Sequence, residues 1–300
     1  MSDRILFYGA SQGRGVVAAI DDGNHIGDLT VIPAGSFAKD WTAFTGLSGD
    51  RILFYSAARR GGVVCSVDDD NNIADVTLIP NGSMAPDWTE VTALSGDRIL
   101  FYSKSKGRGV VCSIDDDNNI ADVTLIPNGS MAPDWTEVTA LSGDRILFYS
   151  KSKGRGVVCS IDDDNNIADV TVIPPGSFAK DWTEIAGLSG DRILFYSATR
   201  GGGVVCSIDD GNNIADVTPI PNGSMATDWT QITAVSGDRI LFYGKTQGRG
   251  VVCSIDDDNH IADVTVIPPG SFAKDWTEVS ALRPQESHLR VGRAAEEHHV

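Results

Sequence analysis

The sequence predicts an all-β fold, a six-bladed β-propeller with four-stranded antiparallel blades, and three observations carry that prediction. A 47-residue unit recurs six times, marked by Asp-Trp-Thr at Trp41, Trp88, Trp135, Trp182, Trp229 and Trp276. Each unit holds four short segments rich in β-branched and aromatic residues, separated by Gly, Asn, Asp and Ser. No long stretch carries helical periodicity, which disfavours leucine-rich, ankyrin and other helix-containing repeats. Four strands in about 47 residues is the arithmetic of one propeller blade.

The elements follow in order from turn chemistry. The first strand of a unit begins at its tryptophan, as in Trp135 to Leu141, and the others are typified by Arg98 to Ser103, Gly109 to Ile114 and Ile120 to Ile126. Leu94-Ser95-Gly96-Asp97-Arg98 is short enough only for a hairpin, so the Trp88 strand and the Arg98 strand are antiparallel neighbours. Asp115-Asp116-Asp117-Asn118 is a tight polar turn joining the third and fourth strands. Pro80 to Asp87 is the longest link and carries two prolines, which cannot donate to a ladder, so it is expected to cross between blades.

On that frame the chain starts in mid-blade at Arg4, and Trp276 to Leu282 supplies the missing strand by pairing with Arg4 to Tyr8. The ring then closes with no exposed edge at the seam. A frame with every blade contiguous in sequence is the alternative. Residues 3–282 are expected to form one domain, followed by an unstructured tail from Arg283 to Val300. The antiparallel order places the links and the Lys104 to Arg108 loop at one end. The Ser-Gly-Asp hairpins and Asp-rich turns go to the other, so one end is basic and the other acidic.

A net charge of −17 argues against a nucleic-acid or anionic-membrane partner, which require a cationic footprint. The start has no basic leader with an apolar run and no stretch approaches a membrane span, so a soluble chain, cytoplasmic by default, is expected. Cys65, Cys112, Cys159, Cys206 and Cys253 occupy one repeat position, an odd set without CxxC pairs that reads as small buried strand residues.

Catalysis finds little support: no nucleophile, base and orienting group break the repeat together. His25 and His260 replace an asparagine in the acidic turn and read as solvated polar residues. The turn Asp162 to Asn166 offers hard oxygen ligands but lacks EF-hand spacing and a distal glutamate, so no metal or cofactor is expected. Trp41, Trp88, Trp135, Trp182, Trp229 and Trp276 are the most suggestive positions. A large ring in every blade is also ordinary core, and that reading stays open beside the functional one. Each tryptophan follows an aspartate, Asp40, Asp87, Asp134, Asp181, Asp228 or Asp275, at the end where Arg14, Arg108, Arg155 and Arg249 sit. An indole ringed by hydrogen-bonding charges matches the mixed surface of a sugar. Gly61 and Gly202 replace the arginine in two units, and Phe37, Phe178 and Phe272 alternate with Met84, Met131 and Met225 in the links. The six sites should therefore differ in affinity if these residues touch ligand.

The run Trp135-Thr-Glu-Val, Asp144-Arg-Ile-Leu-Phe-Tyr149, Gly154-Arg-Gly156 and Asn166-Ile167 resembles the repeat of the Photorhabdus-type bacterial β-propeller lectins across all six units. The resemblance implies glycan partners, fucose-type or related sugars first, in pockets between blades, with the tryptophan as a contact. Members of that family are seven-bladed and carry a different loop, so sugar identity is not transferred. The sequence thus reads as a multivalent, non-enzymatic lectin. Its rivals are a protein-interaction scaffold and an amplified repeat without a retained ligand. The lectin reading demands solvent-reachable tryptophans; the scaffold reading predicts a contiguous apolar face.

Overall fold

In the computed structural model, which describes residues 3–236 and 238–282, twenty-four strands form six four-stranded antiparallel sheets set as the blades of a closed ring. Strands are numbered β1 to β24 along the chain. Blade 3 shows the pattern: β8 (Glu90–Ala93), β9 (Arg98–Ser103), β10 (Arg108–Ile114) and β11 (Ile120–Ile126) lie side by side in that order. The first strand of each blade is innermost, since these strands contact one another around the axis. The tryptophan stands two residues before that strand rather than inside it. The expected Trp135 to Leu141 strand is Glu137–Ala140, because Trp135 ends the incoming link.

Blade 1 takes its inner strand from the other end of the chain. Here β24 (Glu278–Leu282) pairs with β1 (Asp3–Gly9) in the register Arg4 with Leu282 through Tyr8 with Glu278, followed by β2 (Arg14–Ile20) and β3 (Ile26–Ile32). The expected closure is therefore observed, and the frame of contiguous blades is not.

Middle strands read as unbroken apolar runs because both faces are covered. In β9, Ile99 and Phe101 join the cluster shared with blade 2, while Leu100 and Tyr102 join the cluster shared with blade 4. Each such side chain, at 0–2% exposure, contributes about 2 kcal/mol of burial. The core is thus six wedges between blades, into which the five cysteines also fit.

The polar turns hold the wedges together. Gly96 and Asp97 both have positive φ, 62° and 60°, the conformation of the two-residue hairpin that suits strand twist. Arg51 of blade 2 reaches across to blade 3, donating to the Asp115 carbonyl at 2.7 Å and pairing with Asp97 at 2.7 Å. In return Asn118, left-handed at φ 64° and buried, donates from Nδ2 to the Asp75 carbonyl of blade 2 at 3.0 Å. The Asp-Arg motif is this stitch, repeated at every junction. At the seam Arg239 pairs with Asp3, and Asn24 donates to the Asp263 carbonyl at 2.8 Å.

The two ends separate as expected, with links and second-to-third-strand loops on one side and both classes of turn on the other. Among the described residues there is no helix, and hence none long and apolar enough to cross a membrane. The tail expectation, Arg283 to Val300, lies outside the described residues.

Candidate functional site

Each site is built where a link enters a blade at the basic end. The Tyr55 hydroxyl donates to the Ala85 carbonyl at 2.6 Å and Met84 N donates to the Arg60 carbonyl at 2.9 Å, clamping the link against the loop of blade 2. That places Asp87 beside the loop of its own blade. The Ser103 hydroxyl donates to Asp87 at 2.7 Å, Arg108 does so at 2.7 Å, and Lys106 stands at 3.4 Å. Burial works to raise the Asp87 pKa, but the Ser103 hydroxyl and the Arg108 guanidinium outweigh it and hold the carboxyl below its usual range. At the equivalent Asp134 the same opposition, led by burial and overcome by Ser150 and Arg155, leaves the pKa at about 2.

The aspartate holds its arginine over the neighbouring indole. Arg108 lies 4.8 Å from the Trp88 ring centre, and the Phe101 ring packs 5.9 Å from it, tilted by 45°. Arg14 over Trp276, Arg155 over Trp135 and Arg249 over Trp229 repeat the stack at 4.6–4.8 Å. In the two units with glycine at the aligned position the stack is kept by an arginine two residues earlier. Arg59 covers Trp41 and Arg200 covers Trp182, pairing with Asp40 and Asp181. Sequence alignment hid this substitution, because the arginine moved while its role stayed. In these two blades the indole Nε1 is buried with no hydrogen-bond partner among the described residues.

The structure therefore brings the predicted tryptophans, arginines and aspartates together in four blades, and in blades 2 and 5 joins the predicted tryptophan and aspartate to an unpredicted arginine, but in no blade as an open indole face. Trp135, Trp182, Trp229 and Trp276 are 5–8% exposed, and Trp41 and Trp88 are half-buried. The accessible surface lies beside the stack. A cleft of about 500 Å³ opens on the face of blade 3 that turns toward blade 2, lined by Met84, Trp88, Arg108, Val110, Leu125 and Asn128. Its outer wall is exposed: Leu125 is 71% and Val123 55% accessible, and the same outer-strand positions are exposed and apolar in the other blades.

The link residues that alternate between Phe and Met fill space. Phe178 lies over Gly156, where a Cβ would meet the ring at 2.6 Å, and over Phe195 at 5.2 Å; Met131 lies over Gly109 in the same way. The paired glycines of the Gly-Arg-Gly segment thus make room for the link.

Sequence reading missed the axis. Glu90, Glu137, Glu184 and Glu278 begin four innermost strands, with Gln231 and Ala43 at the remaining positions. Burial, reinforced by the charges of Glu137 and Glu278, pushes Glu184 up to about 8, and burial raises Glu90, Glu137 and Glu278 to about 7. The recurring Glu two residues after the tryptophan was the available signal; its meaning needed the ring.

The acidic turn uses its carboxylate internally: Asp115 accepts from Asp117 N at 3.0 Å and Asn119 N at 2.7 Å. His25 and His260 lie exposed beside Asp21 and Asp256 at 3.3 and 3.6 Å. Burial pushes each cysteine thiol to about 12. Among the described residues no group of three or more His, Cys, Asp or Glu is placed to hold a metal ion.

No family model matches the chain, and no curated protein matches it. Among solved structures, a chain of a nidogen/laminin complex superposes with a TM-score of 0.60 at 8% identity, covering 95% of this chain and 100% of that one. A protein of Desulfotomaculum acetoxidans gives 0.60 at 10% identity, over 94% and 99%. The virginiamycin B lyase of Staphylococcus aureus gives 0.50 at 12% identity, over 89% and 84%. These likenesses establish a propeller and transfer no activity. The end that carries the links holds six clusters of aspartate, arginine and tryptophan, one per blade.

Proposed function

We propose that this propeller is a multivalent carbohydrate-binding protein whose sites are the clefts beside the Arg-Trp stacks. The supporting observation is the cleft of blade 3, where an apolar row of Met84, Val110 and Leu125 meets the Trp88 edge, Arg108 and Asn128. A pyranose presents one face of C–H groups and a rim of hydroxyls, and such a wall contacts both. The volume of about 500 Å³ suits one or two sugar rings. Six linked weak sites gain avidity on a glycan-covered surface, on the order of 10²-fold when geometry allows simultaneous engagement. The resemblance of the repeat to bacterial propeller lectins supports the same reading.

The test is a glycan array comparing the parent with a variant in which the exposed wall, Val31, Leu78, Leu125, Val172, Pro219 and Val266, is changed to glutamate. These side chains face solvent, so the fold is retained and checked by circular dichroism. Binding by the parent that the folded variant loses supports the clefts; a parent that binds no glycan overturns the proposal. The exposed apolar perimeter also favours a second reading, a scaffold that docks a protein partner on the outer strands. That reading expects a defined protein complex that survives competition by free sugars.

A further inference from the structure

The net charge of −17 conceals a strong segregation. All eight lysines stand exposed at the end that carries the links, while the runs of aspartate stand at the other. At the basic end each link aspartate is already neutralised by its own arginine, as in Asp275 with Arg14 and Asp228 with Arg249. Lys106 and Lys153 add second partners to Asp87 and Asp134. Lys39, Lys104, Lys151, Lys180, Lys245 and Lys274 make no ion pair among the described residues. The glutamates at the axis offset only part of this charge near neutrality, since burial raises Glu90, Glu137 and Glu278 to about 7 and Glu184 to about 8. At the opposite end the arginines are consumed in the inter-blade stitches, so the acidic turns keep their full excess.

We propose that this lysine-rich end is a docking surface for an acidic polysaccharide, one carrying sulfate or uronate groups. A set of exposed ammonium groups outside any ion pair attracts a chain of spaced anions and releases its counterions, whatever the sign of the whole molecule. The choice of polysaccharide over other polyanions rests on the carbohydrate reading above and on one feature of the site. Single-stranded nucleic acid needs exposed aromatic platforms for its bases, and here every indole is covered by an arginine. Lys104 belongs to the same loop as Arg108, which lines the cleft of blade 3, so a chain lying across this end passes beside that cleft.

The experiment titrates the protein with a heparin dodecasaccharide and with the same oligosaccharide fully desulfated and N-acetylated, at two salt concentrations. A charge-matched single-stranded oligodeoxynucleotide and phosphatidylserine vesicles run in parallel. The variant changes Lys39, Lys104, Lys151, Lys180, Lys245 and Lys274 to glutamine, all exposed positions. The proposal expects the sulfated chain to bind at least about tenfold more tightly than the desulfated one, and the variant to lose about tenfold with a shallower salt dependence. Equal binding by parent and variant overturns it, as does an oligonucleotide or vesicle that binds as tightly as the sulfated chain. Desulfated chains binding as well as sulfated ones overturn the charge proposal and leave the cleft reading standing. No binding of either saccharide, with glycan arrays also blank, removes both.

Discussion

Replacing Glu184 by glutamine should make the ring more stable at high pH and leave it unchanged at low pH. Glu184 begins the inner strand of blade 5, and burial with the charges of Glu137 and Glu278 raises its pKa from 4.5 to about 8. A carboxyl whose folded pKa lies above its unfolded value contributes stability below the unfolded value and loses it as pH rises through the folded one. The window is therefore about pH 4.5 to 8. At about 1.4 kcal/mol per pKa unit the dry-site ceiling is roughly 5 kcal/mol, and an effective dielectric above the dry-protein value reduces this to about 1–2 kcal/mol. Thermal unfolding followed by circular dichroism at pH 5 and pH 8.5 reads it out. The variant should match the parent at pH 5 and exceed it by about 2–6 °C at pH 8.5. A variant equally shifted at both pH values, or destabilised at pH 8.5, would refute the argument from carboxylate burial.

Four further outcomes follow from the stitches and the seam. Arg239→Ala strands Asp3, which is 2% exposed, and should cost about 3 kcal/mol in urea unfolding. Arg98→Ala, whose partner Asp144 has a side chain 35% exposed, should cost about 1 kcal/mol. Asn118→Ala loses the bond to the Asp75 carbonyl and strains a left-handed residue, for about 2 kcal/mol, whereas Asn118→Gly keeps the backbone and costs about 1 kcal/mol. Ending the chain after Asp275 removes buried Trp276, Val279 and Leu282 and bares the edge of β1; sedimentation should show association and melting should show a loss of more than about 5 kcal/mol.

Much of the fold was legible because turn chemistry and period are local. Gly96-Asp97 marked its hairpin, the prolines of the link marked the crossing, and the frame that follows fixed the pairing of Trp276 to Leu282 with Arg4 to Tyr8. The site was legible as a cluster but not as a surface. Burial of the tryptophans depends on where Arg108 lies in space, which Asp87 decides across 21 residues. The arginine of blades 2 and 5 was missed because loop geometry lets Arg59 and Arg200 reach the same ring from a shifted position. The axial glutamates were invisible because their meeting is a property of closure, not of any one unit.

Leu282 and Asp3 stand where Leu94 and Asp97 stand in blade 3, the two sides of a Ser-Gly turn. In hydrogen-bonding terms the molecule is a cycle interrupted at one of six equivalent hairpins. Joining those two positions with Ser-Gly and reopening the chain at any other hairpin should regenerate the same ring, so the site of interruption is a matter of genetic order and not of architecture.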